Sequence, residues 1–186
     1  GRTTNENRSA QNTALLSNNQ GFYRDVCFGL NRQYANQGWI HNTLVVDPLD
    51  ADRVYSGGID IYRSDDGGVN WGIASFWQAA DGPQGAHADT LGFAFHPGFD
   101  GGGNQVLYVA GDGGIYRTLN ARAAIASGSR AGCFPYRNEV AWEPLHRGYV
   151  STQFYFGAVY AGGAAYMGGT QDNGTGCAVM LEAARL

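Results

Sequence analysis

The chain has 186 residues and a formal net charge of −4; it is 44% hydrophobic, 13% aromatic and 15% charged, with 29 glycines. No basic surplus is available to meet a phosphate backbone or an anionic lipid surface, so nucleic acid is not an expected partner. All twelve basic residues are arginine, which removes lysine-dependent phosphate cradles and Schiff-base chemistry.

Abundant glycine and aromatic residues with few charges suit many short strands joined by tight turns, so the expected class is all-β. No apolar run approaches the roughly 18 residues of a membrane span, and membrane insertion is not expected. The N-terminus also lacks the basic-then-apolar pattern of a signal peptide, which an exported protein would already have lost.

In chain order, residues 1–37 form a polar, poorly patterned segment. A repeat follows. Asn42-Thr43-Leu44-Val45-Val46-Asp47-Pro48 leads to Arg53-Val54-Tyr55-Ser56-Gly57-Gly58 and then Ile61-Tyr62-Arg63-Ser64. The same order returns in Leu91-Gly92-Phe93-Ala94-Phe95-His96-Pro97, Val106-Leu107-Tyr108-Val109-Ala110-Gly111 and Ile115-Tyr116-Arg117-Thr118, and a third copy opens at Phe156 and continues through Ala165-Tyr166-Met167-Gly168-Gly169. Each copy reads as an apolar strand, a turn of Asp, Pro or Gly, a second strand ending in small residues, and a short third strand. A several-stranded unit recurring about every 50 residues is in the range of propeller blades. The expected domain layout is thus an N-terminal segment, 1–37, and a partial β-propeller, 38–186, with repeats near 38–85, 86–150 and 151–186. Rings close with about four to eight blades. Three copies therefore belong to a longer propeller, complete a ring with other chains, or form an open arc with protected edges.

Ser64-Asp65-Asp66-Gly67-Gly68-Val69-Asn70-Trp71 fits the pattern S-x-D-x-G-x-x-W. Its physics is that of a hairpin staple: the Ser64 and Asp66 side chains bond the turn backbone, Gly68 sits in a turn that needs positive φ, and the Trp71 indole packs beneath. The second copy keeps a degenerate form, Thr118-Leu119-Asn120-Ala121-Arg122, followed by a polar insertion over residues 121–138 that reads as a surface loop before Trp142. Cys27, Cys133 and Cys177 are widely spaced, with no CxxC pair, and the spacing does not select a disulfide among them.

On these motifs, together with Gln37-Gly38-Trp39, His87-Ala88-Asp89, Gly111-Asp112-Gly113-Gly114 and Gly168-Gly169-Thr170-Gln171-Asp172-Asn173-Gly174-Thr175, the chain resembles the BNR/Asp-box propeller proteins of bacteria. That broad group includes sortilin-type domains, sialidases and glycosyl hydrolase-like exported proteins. The resemblance covers roughly residues 38–175, and it implies a secreted or cell-surface protein whose Asp boxes support hairpins away from the ligand face.

In a propeller, the residues just before each innermost strand line the mouth of the central channel. The repeat assigns Trp39, His41 and Asn42 to that position in the first copy, His87 and Asp89 in the second, and Gln153 and Tyr155 in the third. Such a mixture of rings, imidazoles, carboxylate and amides suits carbohydrate or protein ligands. Asp89 and His87 are the candidates for acid–base chemistry, because residues two apart on a strand point the same way. Asp112-Gly113-Gly114 and Asp172-Asn173-Gly174 read as tight turns. No complete ligand set such as an EF-hand pattern is present, so neither a metal nor another cofactor is expected.

Three functions fit. The first is a recognition module binding glycan or protein at the channel mouth. The second is a glycoside hydrolase, which needs a second carboxyl group beside Asp89 that the sequence does not identify. The third is a structural subunit of a surface layer or filament. A sialidase is not expected: Arg53, Arg63 and Arg117 recur at strand positions rather than clustering for a substrate carboxylate.

Overall fold

The computed structural model describes residues 40–77, 85–126 and 135–145, together with the backbone of three further strands, Phe154–Val159, Ala165–Thr170 and Leu181–Glu182. The chain divides into two compact units, Gly1–Tyr149 and Val150–Leu186. The fold class is all-β. Among the described residues the helical content is one 3-10 turn, Pro135–Arg137, and none of these residues belongs to a helix long and apolar enough to cross a membrane.

The first unit holds two four-stranded antiparallel sheets, each a simple meander. β1 (Thr43–Asp47), β2 (Asp50–Gly57), β3 (Ile61–Ser64) and β4 (Gly72–Ser75) form one, and β5 (Thr90–Phe95), β6 (Leu107–Gly111), β7 (Gly114–Thr118) and β8 (Trp142–Pro144) form the other. Their registers correspond. Tyr55 is opposite Arg63 across β2 and β3, and Tyr108 is opposite Arg117 across β6 and β7. The second unit contains an antiparallel sheet of β9 (Phe154–Val159), β10 (Ala165–Thr170) and β11 (Leu181–Glu182), in the order β11-β10-β9.

Alternation along β3 explains how the first sheet is buried on both faces. Ile61 joins Tyr55, Ala74, Leu107, Val109, Ala121, Val140 and Trp142 in a core shared with the second sheet. Tyr62, one residue on, packs with Trp71 and Ile73 on the opposite face. Arg63 returns to the shared side, where its side chain is 2% exposed and its Nη1 donates to the Ala121 carbonyl at 2.7 Å. Arg117, at the matching position of β7, has a side chain 38% exposed and pairs with Glu143. Equivalent residues thus meet different surroundings, because the face bearing Arg63 is covered by the second sheet and the face bearing Arg117 is more open.

The turn from Ser64 to Trp71 is stapled by its own side chains. The Ser64 hydroxyl donates to Asp66 Oδ1 at 2.9 Å and accepts the Gly68 amide at 2.8 Å, while Asp66 Oδ1 accepts the Asn70 amide at 2.7 Å. Gly67 and Gly68 have φ of 68° and 85°, values that a side chain would strain, and the Trp71 indole donates to the Gly68 carbonyl at 3.1 Å. Burial pushes the Asp66 carboxyl upward, but the hydrogen bonds from Asn70 and Ser64 outweigh it and hold the group below its ordinary range.

The degenerate copy keeps the same wiring. Thr118 Oγ1 donates to Asn120 Oδ1 at 2.8 Å, and Asn120 Oδ1 accepts the Ala141 amide at 3.0 Å. Ala141 precedes Trp142 as Asn70 precedes Trp71, so the insertion lengthens the turn without disconnecting it. Its ends are not surface loop, contrary to the expectation from its polarity. Ala121 is fully buried and Asn138 is 5% exposed. Asn138 Nδ2 donates to the Ala74 carbonyl at 3.1 Å, and the carbonyl of Ala121 is enclosed between the sheets.

Four stability outcomes are expected from chemical denaturation. Asp66→Ala leaves turn donors unpaired and costs about 1–3 kcal/mol, and Trp71→Ala costs about 3–5 kcal/mol through lost packing. Arg63→Ala costs about 2–4 kcal/mol, because a charged hydrogen bond and a packed stem leave the interior, whereas Arg117→Ala costs under about 1 kcal/mol, as for an exposed ion pair. Equal losses at the two arginines would contradict the difference in burial.

Candidate functional site

Three segments of the first unit converge at the corner where β1 and β5 begin. His41 lies two residues before β1 and is 2% exposed. Asp89 immediately precedes β5, and Asp112 sits in the two-residue turn between β6 and β7. His41 Nδ1 is 3.6 Å from Asp89 Oδ1, and His41 Nε2 is 3.9 Å from Asp112 Oδ1. Each ring nitrogen therefore faces a different carboxylate. Donor atoms from all three residues lie within 4.8 Å of one another.

Backbone geometry sets these positions. Asp89 has φ of 69°, the one positive value among the described non-glycine residues; aspartate tolerates this left-handed region better than most side chains. The Asp112 amide donates to the Asp89 carbonyl at 3.2 Å, so the segment before β5 is tied directly to the β6–β7 turn. Gly111 permits that approach, since a Cβ there would lie 2.6 Å from the Asp89 carbonyl oxygen. The next residue, Thr90, donates its amide to the Gly58 carbonyl at 2.8 Å and so anchors the start of β5 on the β2–β3 turn.

The expectation that His87 and Asp89 point the same way along a strand does not hold. β5 begins at Thr90, and the left-handed backbone at Asp89 breaks the alternation on which that expectation rested. His87 is exposed; its Nδ1 is 3.0 Å from the Ala88 carbonyl oxygen, and its ring lies over Gly113, where a Cβ would come within 2.2 Å of it. His41 is the imidazole brought to Asp89. Asn42 beside it is exposed. Trp39 and Gln153 lie outside the described residues, as do Cys27, Cys133, Cys177 and the Asp172-Asn173-Gly174 turn. Tyr155 belongs to β9 in the second unit.

Two participants were not recognised from the sequence in these roles. Asp112 occupies the tight turn expected of Asp-Gly, yet its carboxylate also reaches the His41 ring. Asp60 follows Gly58-Ile59 and is 8% exposed; its Oδ1 accepts the Trp77 amide at 3.0 Å. Burial pushes the Asp60 carboxyl up to about 7; the Trp77 amide works against the rise, and the charge of Asp89 adds to it. A lone carboxylate between Ile59 and Ile61 is the signal in the sequence that could have drawn attention to it.

The raised Asp60 value has a consequence for stability. Between the ordinary aspartate range and about pH 7 the folded chain keeps a proton that the unfolded chain has lost, so stability is greatest below about pH 4 on this account and falls as pH rises toward 7. Asp60→Asn keeps an oxygen for the Trp77 amide and removes the ionisation. Its stability, followed by denaturant titration from pH 4 to 8, is expected to decline less steeply than the parent's by about 2–4 kcal/mol over that window. Parallel curves would show that Asp60 ionises without penalty.

Comparison with protein-family models, with curated proteins and with solved structures finds no match to this chain.

Proposed function

We propose that this chain is a secreted or cell-surface recognition module, part of a β-propeller, that binds a polar ligand of the glycan or protein class at the corner formed by His41, Asp89 and Asp112. The observation that carries the reading is the meeting of these three side chains from three segments, His41 and Asp89 just before the corresponding first strands and Asp112 from the β6–β7 turn. Binding sites typically combine a few convergent polar groups with apolar or aromatic surface. Trp39, two residues before His41 in the sequence, carries an indole of the kind on which sugars stack.

The propeller part of the reading is supported by two in-register meanders packed through corresponding strands, and by the contrast between Ile61, 1% exposed, and Ile115, 44% exposed. A face covered in one repeat and open in the next suits an array in which each sheet packs on its neighbour.

A glycoside hydrolase is the second reading, favoured by Asp60. A carboxyl protonated up to about pH 7 and electrostatically linked to Asp89 is a pair whose members can hold opposite protonation states, the arrangement of an acid and a base.

Calorimetric titration of plant and bacterial polysaccharides, with product analysis on the same samples, tests both readings. For a recognition module, Trp39→Ala weakens affinity by about tenfold or more through the lost stacking face, and Asp89→Asn changes it modestly with no product formed. For a hydrolase, Asp89→Asn abolishes turnover while affinity persists. If Trp39→Ala and Asp89→Asn both leave every detected ligand and activity untouched, the corner is not the binding site and the structural-subunit reading takes its place.

A further inference from the structure

We propose that His41, Asp89 and Asp112 bind a divalent transition-metal ion, with zinc as the ion that best suits the donor set. One imidazole nitrogen and two carboxylates form a mixed nitrogen and oxygen set of the kind zinc takes, leaving a coordination position for an outside ligand. Calcium and magnesium favour six or more oxygen donors, and the buried imidazole counts against both.

Three observations carry the assignment. The first is distance. The nitrogen-to-oxygen separations of 3.6 and 3.9 Å exceed a hydrogen bond, for which about 2.7–3.2 Å is normal. One ring nitrogen and one oxygen from each carboxylate lie within 4.8 Å of one another, against about 3–3.5 Å for atoms about 2.0–2.2 Å from one metal. Closing the set takes a contraction of about 1 Å and rotation of one carboxylate toward the coordinating nitrogen.

The second is the pairing of the ring. A metal-bound histidine generally directs its other nitrogen at a carboxylate, which fixes the tautomer and the ring plane. His41 has a carboxylate facing each nitrogen, Asp89 at Nδ1 and Asp112 at Nε2, which hold the ring plane between them. Its 2% exposure allows little freedom to turn away.

The third is independent of the cluster's own contacts. The Thr90 hydroxyl, directly after Asp89, belongs to a residue 1% exposed and has no hydrogen-bond partner among the described residues. A buried hydroxyl left in this state costs about 1–3 kcal/mol. Water brought in with a bound ion is the kind of partner that would satisfy it. The carboxylates are also held for the purpose by one junction, since the Asp112 amide bonds the Asp89 carbonyl where Gly111 leaves room.

The ion's part in function rests on the recognition reading: its open position would take a hydroxyl or carboxylate oxygen of the ligand. Its binding does not rest on that reading and is measured without any ligand. The full chain is stripped with a chelator, dialysed and titrated with zinc, manganese and calcium chlorides in turn, with metal content determined after a second dialysis. Cobalt substitution adds a visible spectrum that reports nitrogen and oxygen ligation.

The expected result is one zinc per chain, bound more tightly than calcium. His41→Gln and Asp112→Asn are each expected to weaken zinc binding by about 10–100-fold or more and to alter the cobalt spectrum. Asp52→Asn, an exposed carboxylate away from the corner, keeps the parent affinity. Circular dichroism establishes that each variant is folded, and Asp112→Asn, in a partly exposed turn, serves if the buried His41 variant is not. Zinc held equally well by the folded variants lies elsewhere, the three cysteines included, and overturns the proposal. So does a parent that binds less than one ion or prefers calcium. Stoichiometric zinc lost in the variants, with no glycan or protein ligand detected on screening, sustains the metal site while removing the recognition reading.

Discussion

The backbone carbonyls of Ala74 and Ala121 are enclosed between the two four-stranded sheets, where neither is completed by an ordinary sheet ladder. A buried carbonyl left without a donor is costly, and the seam is organised around supplying those donors. Ala74 receives the Trp142 indole at 3.0 Å and the Asn138 side-chain amide at 3.1 Å. Ala121 receives the Tyr55 hydroxyl at 2.8 Å and the Arg63 guanidinium at 2.7 Å. Burial raises the Tyr55 phenol to about 12, which keeps its proton in place as a donor across any ordinary pH. Each sheet thus gives a carbonyl to the other and receives side-chain donors in return. Such bonds require a definite lateral register, which apolar contact alone specifies less sharply.

A second fastening lies at another point of the seam. Arg122 forks onto Asp47 through two bonds of 2.6 and 2.8 Å, and its guanidinium carbon stands 5.2 Å from the centre of the Phe99 ring. The Asp47 side chain is fully buried, so this pair exchanges hydration for a bidentate contact. Such a pair is valued more for alignment than for net energy, because desolvation offsets much of the attraction. It joins the end of β1 to the segment after β7. With the Thr90 amide bound to Gly58, the relative position of β1 and β5 is set by bonds of fixed length.

That alignment is what the candidate site depends on. His41 enters from the start of β1, while Asp89 and Asp112 belong to the second sheet, so a shift between sheets would separate the imidazole from both carboxylates. The buried Asp60 carboxyl feels the charge of Asp89. The corner thus sets two carboxylates against one imidazole, and one of them, Asp89, adds its charge to the rise of the buried Asp60 carboxyl. A cation and a polar ligand would both relieve the crowding of negative charge there, which connects the recognition reading with the metal site.

Much of the fold was legible in the residues. The order of strands and the stapled turn from Ser64 to Trp71 follow from short-range preferences: alternation of side chains, positive φ at glycine, and hydroxyl and carboxylate groups within a few residues of the amides they bind. Even the degenerate turn at Thr118 and Asn120 keeps that wiring, since it needs only a hydroxyl, an amide oxygen and a returning chain. The site was less legible. Sequence spacing put His87 with Asp89, but the left-handed backbone of Asp89 removes the strand alternation, and the imidazole that meets Asp89 comes from before β1. Asp112 looked like a turn residue and is one; only the packing of that turn against Asp89 reveals its second contact. The amino-acid sequence by itself determined the all-β class, the repeated meander and the hairpin staple, because each is decided between near neighbours along the chain. The tertiary structure decided which carboxylates share His41 and which arginine is buried, because those outcomes depend on how one sheet docks on the next, a relation between distant segments that local spacing does not encode.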